Sequence, residues 1–522
     1  MRLAGITGYH AYLPAYRLDR GEIAAAVGAS ARGTRCVAGY DEDTTTLGVA
    51  AALPVVAGRE AAVGSVWLAT TDPVYADKTN ATAVHAALGL PPGIVAADLG
   101  ATVRSGVVAL LAAARDGGLA VLADRRGGPA GGTDEREGGD AAAAFLFGDQ
   151  APLALVTGTA SVTAEFIDRW RVPGAPDGAA WEERFGEQRY AELAGQLLAA
   201  LTAAGVDLGG IARFAVAGTN ARAARTVAGT VREATGAVLE AGDLAGLLGN
   251  AGAAHAGLAL AGLLDAAGPG EALLLISLAD GADALVLRAT DAITAGRGEP
   301  LRAQADGGVT IGYPQYLLWR GRIAGERSRR PDPERPSAPF AWRNRAYKLS
   351  LAGGRCGKCG AVQFPLPRVC YQCHAVDAFD SVSAAGQTAR IVTFTVDRLA
   401  FSPSPPLISA VIAFEQGGRL QCELTDVRLP LHVGDEVIPA FRRGGTVGGI
   451  HNYLWKARPV YRAAQLSPGG RPPYPPLYTR AGLIAETAVV SGPPARTDSG
   501  DCRKRPDIAE RIIRLGGTGG AA

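Results

Sequence analysis

The chain has 522 residues, 48% of them hydrophobic, with Lys+Arg 52 against Asp+Glu 50 for a formal net charge of +2. That length exceeds a single hydrophobic core and implies two to four domains. The near-neutral balance argues against nucleic acid or a membrane surface held by bulk charge, and the lack of a long uninterrupted apolar run predicts no membrane span.

Residues 1–13 carry one early Arg, no long apolar core and no small-residue cleavage pattern. They do not read as a signal peptide, and a cytoplasmic location is expected. In that compartment the seven cysteines read as thiols or metal ligands, not as a disulfide framework. Residues 1–295 alternate strand-like and helix-like stretches. Strands are predicted at 66–70, 119–122, 143–147 and 153–156, with an Ala/Leu-rich helix at 106–115. A weak internal repeat links helix 107–115, strand 119–122, Gly139-Asp140 and a strand ending at Phe147 to helix 256–266, strand 272–276, Gly281-Ala282 and a strand ending at Leu287. The pattern predicts a duplicated, layered α/β fold with a buried helix at the centre of each half.

Residues 296–350 change character, with a short amphipathic helix expected at 313–322 and a charged, Pro-rich linker at 327–339. A cysteine cluster follows in 351–384. From 385 to 460 the apolar period becomes two, in runs at 389–396, 407–414 and 420–425, which predicts a small antiparallel β barrel or sandwich. Residues 461–522 form a C-terminal extension, Pro-rich at 466–477.

Within the cluster, Cys356-x2-Cys359 is followed after ten residues by Cys370-x2-Cys373. Each Cys-x-x-Cys pair can bend as a knuckle and turn two thiolates toward one metal. Four thiolates close a tetrahedral Zn²⁺ shell with no position left for water, so a structural zinc is expected rather than a catalytic one. Gly357 and Gly360 are expected to permit the tight turns. His374, beside the last cysteine, is an alternative ligand that four thiolates make unnecessary.

The segment Arg355-Cys-Gly-Lys-Cys-Gly-Ala-Val-Gln-Phe-Pro365, then Cys370-Tyr-Gln-Cys373, then the β runs, resembles the DUF35 family, which joins a rubredoxin-like zinc ribbon to an OB-fold. Gly449-Ile-His-Asn-Tyr-Leu-Trp-Lys-Ala-Arg-Pro459 resembles the closing strand of that OB-fold. Residues 1–295 resemble 3-hydroxy-3-methylglutaryl-CoA synthase of the thiolase superfamily. The resemblance lies in Val37-Ala-Gly-Tyr-Asp-Glu-Asp43, Tyr75-Ala-Asp-Lys78, Ala97-Asp-Leu99, Gly139-Asp140-Ala-Ala-Ala-Ala, Asp168-Arg-Trp170 and Leu248-Gly-Asn250. It implies the duplicated thiolase fold, a CoA thioester as substrate, a homodimer, and a thiolase as a possible partner.

The catalytic set of those synthases is a Cys nucleophile, a Glu acid/base and a His. Alignment of the quoted segments puts Val103 at the nucleophile, Thr71 at the Glu, with Asp72 beside it, and Ala217 at the His in Ala217-Gly-Thr-Asn220. Asn250 matches the Asn that hydrogen-bonds the thioester carbonyl, and it also suits an N-cap of the helix that follows. His255 reads as a replacement base or as a packed side chain. Tyr75, Lys78, Val103 and Asn220 are candidate substrate contacts; a solvated loop is the other reading of Tyr75 and Lys78. Cys36 reads as merely buried. Aldol or retro-aldol chemistry needs a proton shuttle and an oxyanion hole but no acyl-enzyme. The expected function is therefore action on a C–C bond of a CoA thioester, with Asn250, His255 and Asp72 as the catalytic candidates. The alternatives are a non-catalytic acyl-CoA-binding scaffold for a thiolase and a synthase with another nucleophile.

Overall fold

The computed structural model describes residues 3–296, 298–325, 337–428 and 430–461. Most of the predicted 327–339 linker and nearly all of the C-terminal extension lie outside the described residues.

Ten strands make one mixed sheet, in the order Val238–Leu239, Ile211–Gly218, Ala272–Leu278, Gly281–Ala289, Ala154–Thr163, Gly5–Tyr12, Asp140–Gly148, Leu119–Arg125, Ser65–Thr70 and Val95–Gly100. The halves meet where Ile6 pairs with Ala154. Each half follows one plan. Ser65–Thr70 pairs in parallel with both Val95–Gly100 and Leu119–Arg125, and Asp140–Gly148 then runs antiparallel between Leu119–Arg125 and Gly5–Tyr12. Ile211–Gly218 likewise pairs in parallel with Val238–Leu239 and Ala272–Leu278, and Gly281–Ala289 runs antiparallel between Ala272–Leu278 and Ala154–Thr163. The duplication expected from the sequence is thus present strand for strand.

Period two sorts the strand side chains into layers. Ala141, Ala143, Phe145, Leu273 and Leu275 face a central layer made by the helices Ser105–Asp116 and Ala253–Ala266. Ala142, Ala144 and Leu146 face the outer helices Thr44–Val56 and Ala81–Ala87. Leu274 and Ile276 face the outer helices Glu183–Ala203 and Ala221–Thr235. The result is the five-layered thiolase arrangement, and the helix Ala253–Ala266 is apolar nearly all round because protein covers almost all of it. Their approach requires Gly106: a Cβ there would stand 2.1 Å from the Ala253 carbonyl oxygen.

Val309–Thr310 adds to a small sheet with Tyr16–Asp19 and Thr34–Val37, and the helix Tyr313–Trp319 packs beside it, so this part of 296–350 lies against the first body. Ala352–Cys356, Val362–Gln363 and Phe379–Ser383 make a three-stranded ribbon. Arg419–Glu423, Leu407–Phe414, Ala389–Asp397, Glu436–Val447 and Ile450–Pro459 follow as a five-stranded sheet. A bridge from Leu424 to Ala457 brings its two edges together as the expected OB-fold barrel.

The barrel is fastened to the first body by buried charge. Arg442 of the barrel lies 3.1 Å from Glu42 Oε1 and 2.7 Å from Asp426 Oδ2. Lys456 Nζ lies 3.0 Å from Asp41 Oδ2 and 2.9 Å from Glu423 Oε2. Tyr12 Oη donates to Glu42 Oε1 at 2.7 Å, and Tyr453 Oη donates to Asp43 Oδ2 at 2.9 Å. Asp43 also caps the helix Thr44–Val56 through Oδ1. Tyr40 to Asp43, the end of the 37–43 segment that carried the family resemblance, therefore serve here as the barrel's docking site.

Removing Arg442 would leave buried carboxylates without their cation. Arg442→Met is expected to cost on the order of 3–5 kcal/mol, read as a lower urea midpoint. Burial, with the Asp426 and Asp41 carboxylates adding and Arg442 opposing, pushes the Glu42 carboxyl up to about 7. The folded state then holds this proton more tightly than the unfolded chain. Its contribution is complete below about pH 4.5, the unfolded value, and is lost as pH rises through about 7. Melting temperature should fall across that window, and Glu42→Gln should flatten the slope.

Candidate functional site

Ser65–Thr70 and Leu119–Arg125 are parallel and end at the same side of the sheet, where the helix Ala253–Ala266 begins. Asp124 joins these three elements. Its carboxylate accepts from Thr70 Oγ1 at 3.0 Å, Thr71 N at 2.6 Å, Thr71 Oγ1 at 2.9 Å and Ala253 N at 2.7 Å. Burial raises its pKa, and the bonds from Thr71 and Ala253 and the charge of Arg126 oppose that rise.

Asn250 lies on the adjoining loop. Its Nδ2 donates to the Gly218 carbonyl at 2.7 Å, its Oδ1 accepts from Gly252 N at 3.0 Å, and its own N donates to the Glu137 carbonyl at 2.7 Å. Asn250 is not the N-cap of the following helix. Gly252 occupies that position, and Asp124 takes the first-turn N–H of Ala253. Gly249 is needed beside it: φ is +82°, and a Cβ would stand 2.1 Å from the Gly138 carbonyl oxygen. Val103 precedes the other central helix and accepts from Gly106 N through its carbonyl. The structure thus links the loops bearing Thr71, Asn250 and the end of the Ile211–Gly218 strand through one hydrogen-bonded chain. Val103 joins them through the contact of Gly106 with Ala253.

The other predicted residues divide. Asp72 Oδ2 pairs with Arg125 Nε at 3.3 Å, and its side chain is 33% exposed. Tyr75 Oη accepts from His451 N of the barrel at 2.8 Å, which makes it part of the interdomain contact. Lys78 bonds only its own loop, Thr79 O and Thr82 Oγ1, among the described residues, and partial burial lowers its pKa against the pull of Asp98. Asn220 caps the helix Ala221–Thr235, accepting from Ala223 N at 3.0 Å, and its Nδ2 donates to the Glu183 carbonyl at 3.1 Å. His255 lies in the first turns of the central helix. Burial pushes its pKa down to about 4, and among the described residues Nδ1 has no hydrogen-bond partner. Cys36 is fully buried in the strand Thr34–Val37, as expected. Sequence reasoning missed Asp124 and Arg126. The signal for both was slight: a charged run ending an apolar strand.

A cavity of about 480 Å³ lies elsewhere. It sits between the helix Tyr313–Trp319 and the barrel's 402–408 loop, lined by Tyr16, Tyr40, Ile311, Leu318, Pro405 and Asp426 among others. None of Thr71, Val103 or Asn250 reaches it.

The four ribbon cysteines converge, with all Sγ atoms within 4.8 Å of one another. Cys356 and Cys373 Sγ are 3.6 Å apart, and Cys359 and Cys370 Sγ are 3.5 Å apart. Four bonds of about 2.3 Å to one tetrahedral ion require neighbouring sulfurs about 3.8 Å apart, so the set fits such an ion. The two knuckles share one backbone pattern. Cys356 N donates to Ala361 O, and Cys370 N donates to Ala375 O. Gly360 N returns to Cys356 O, and His374 N to Cys370 O. Gly360 and His374 hold equivalent left-handed positions, φ +76° and +58°. His374 is therefore a turn residue, and Gly357, expected as a second turn glycine, is not left-handed.

Residues 382–442 match the family described as the ChsH2 C-terminal OB-fold domain. A DUF35 domain-containing scaffold protein of Methanocaldococcus jannaschii is 29% identical over 23% of this chain and 89% of its own length. A hydroxymethylglutaryl-CoA synthase of Aeropyrum pernix is 29% identical over 61% of this chain and 95% of its own length. The crystal structure of an HMG-CoA synthase complexed with CoA shares the fold, with a TM-score of 0.53 and 17% identity over 60% of this chain and 89% of that one. Among the described residues no helix is long and apolar enough to cross a membrane.

Asp124 should be the residue on which this corner depends. Asp124→Ala would strand several buried donors at about 1–3 kcal/mol each before relaxation. Urea unfolding should show a loss of several kcal/mol, larger than the loss of about 1 kcal/mol expected for the cap variant Asn220→Ala.

Proposed function

We propose that this chain, a hydroxymethylglutaryl-CoA synthase-like domain of thiolase fold joined to a DUF35-like OB-fold domain, binds an acyl-CoA and acts on a carbon–carbon bond of the thioester without a covalent acyl-enzyme. One observation carries the reading. The loop of Asn250 and the start of the central helix are held in place by Asp124, while the side chain ahead of the other central helix is Val103, which cannot attack a carbonyl. The site keeps the frame for polarising a thioester and lacks the nucleophile for an acyl-enzyme.

In the cleaving direction a base takes the proton of the 3-hydroxyl. The C2–C3 bond breaks, its electron pair passes into the thioester enolate, and a proton returned to C2 completes the products. Asn250, whose Nδ2 spends one N–H on Gly218, supplies its other N–H to the thioester oxygen. Asp72, oriented by Arg125, is the proton carrier. His255 is the weaker candidate, because its buried ring is neutral near pH 7 and accepts a proton only near pH 4.

Cys356, Cys359, Cys370 and Cys373 hold one Zn²⁺ in this reading. Its shell is closed, so it folds the ribbon and takes no part in the reaction. The DUF35-like portion is the surface on which a partner thiolase would dock. The edge strand Val95–Gly100, partly exposed along its length, is where a second copy would extend the sheet into a homodimer.

Purified chain incubated with 3-hydroxyacyl-CoA thioesters and followed by mass spectrometry should form the cleaved pair. Asn250→Ala should lower turnover by about 10²–10³ with the fold intact; unchanged turnover would exclude the role of Asn250. Binding without turnover across the panel would leave the scaffold reading. Metal analysis should find about one zinc per chain, and Cys370→Ser should release it and lower the thermal stability of the chain.

A further inference from the structure

The cavity of about 480 Å³ has no part in the reaction above. One wall comes from the first body, through Tyr16, Tyr40, Ile311 and Leu318, and the other is the barrel's 402–408 loop with Glu423 and Asp426. Aromatic rings gather at this joint. Tyr16 meets Trp319 edge-on with centroids 4.8 Å apart, and the Tyr40 ring lies 6.2 Å from that of Trp319. Trp319 Nε1 donates to the Pro403 carbonyl at 2.9 Å, which holds the barrel loop against the helix Tyr313–Trp319. Proline-rich peptides dock in aromatic-lined grooves of this kind, because their backbone is already extended and little entropy is lost on binding.

The barrel side of the cavity is acidic. Its charged lining residues are Glu423 and Asp426, and among the described residues no Lys, Arg or His lines it. Each carboxylate gives one oxygen to a cation inside the joint, Glu423 Oε2 to Lys456 and Asp426 Oδ2 to Arg442. The Glu423 side chain is still 41% exposed, and Asp426 Oδ1 has no hydrogen-bond partner among the described residues. An apolar groove with this edge suits a segment that carries prolines, aromatic rings and positive charge together.

Such a segment exists in the same chain. The described residues end at Tyr461, whose Oη accepts from Arg428 N at 2.7 Å, and Arg428 directly follows Val427 of the cavity lining. Further on, the sequence reads Arg471-Pro-Pro-Tyr-Pro-Pro-Leu-Tyr-Thr-Arg480, and from 462 to 485 it carries three arginines and no Asp or Glu. The residues between Tyr461 and Arg471 can span up to about 30 Å, ample for a return to a wall that begins one residue from Arg428.

We propose that Arg471 to Arg480 docks in this cavity of its own chain. Its prolines and tyrosines lie against Tyr16, Tyr40 and the 402–408 loop, and its arginines face Glu423 and Asp426. The segment then straps the barrel to the first body at a second place, beside the ion pairs of Arg442 and Lys456. Neither the segment nor the cavity enters the acyl-CoA reading.

The test is amide hydrogen exchange together with disulfide trapping in the full chain. Removing residues 471–480 should speed exchange across 313–319 and 402–408 at least about tenfold relative to the full chain. A disulfide needs Cα atoms within about 7 Å. Leu318→Cys combined with Tyr474→Cys, mildly oxidised and mapped by mass spectrometry after proteolysis, should therefore link within one chain. Val238→Cys, on the exposed strand at the far edge of the ten-stranded sheet, should not link to the same partner. Changing Arg471 and Arg480 to Glu should lower the Leu318→Cys link severalfold. Unchanged exchange, a readout that depends on no choice of cysteine position, would overturn the proposal. So would a link found only between two chains, which would give the cavity to the tail of a second copy.

Discussion

The placement of the two bodies rests on the buried charges around Arg442 and Lys456. Desolvating these ions is costly, and the cost is offset only while each cation keeps its carboxylates within contact. Asp41 and Glu42 come from the first body, and Asp426 is buried with them from the barrel. Shifting the barrel would separate the set, so the interaction fixes orientation more than it adds affinity. Asp43 extends the coupling, since one oxygen caps the helix Thr44–Val56 and the other receives Tyr453. With the barrel in this register, His451 meets Tyr75 on the loop that begins at Thr71. The second domain therefore reaches the candidate site because of a contact made elsewhere.

The candidate site shows frame and chemistry separating. The close approach of Gly106 to Ala253, the turn at Gly249 and the donors gathered by Asp124 all shape the corner where two parallel strands end and a central helix starts. That corner depends on backbone geometry and tolerates Thr71, Val103 and Ala217 as its side chains. What it then presents is an amide, an ion-paired carboxylate and arginines. The cavity of about 480 Å³ beside the helix Tyr313–Trp319 lies away from this corner.

Several readings of the sequence proved sound because their physics is local. Alternation with period two gave the strands and their faces, and the spacing of Cys356, Cys359, Cys370 and Cys373 brought four thiols together. The repeat of helix, strand, glycine and strand foretold a sheet duplicated strand for strand. Asp72 was legible as a candidate proton carrier and Tyr75, Lys78 and Asn220 as candidate substrate contacts, without the groups they would meet. Their partners, Arg125, His451, their own loop and the N–H of Ala223, depend on where the chain returns. His255 was legible as a replacement base or a packed side chain, and the burial that pushes its pKa down to about 4 comes from the elements folded around its helix.

By itself the sequence determined the architecture: a duplicated α/β body, a four-cysteine ribbon and a β barrel, since periodicity and ligand spacing act between near neighbours. Tertiary structure alone decided that Tyr40 to Asp43 would anchor the barrel, that Asp124 would hold the site together, and that Arg126 would lie beside it against Gly252. Burial and charge pairing join Arg442 to Glu42 and Ala253 to Asp124 across hundreds or more than a hundred residues of chain. The free energy of an ion depends on which groups surround it and how little water remains, and only the folded chain sets both.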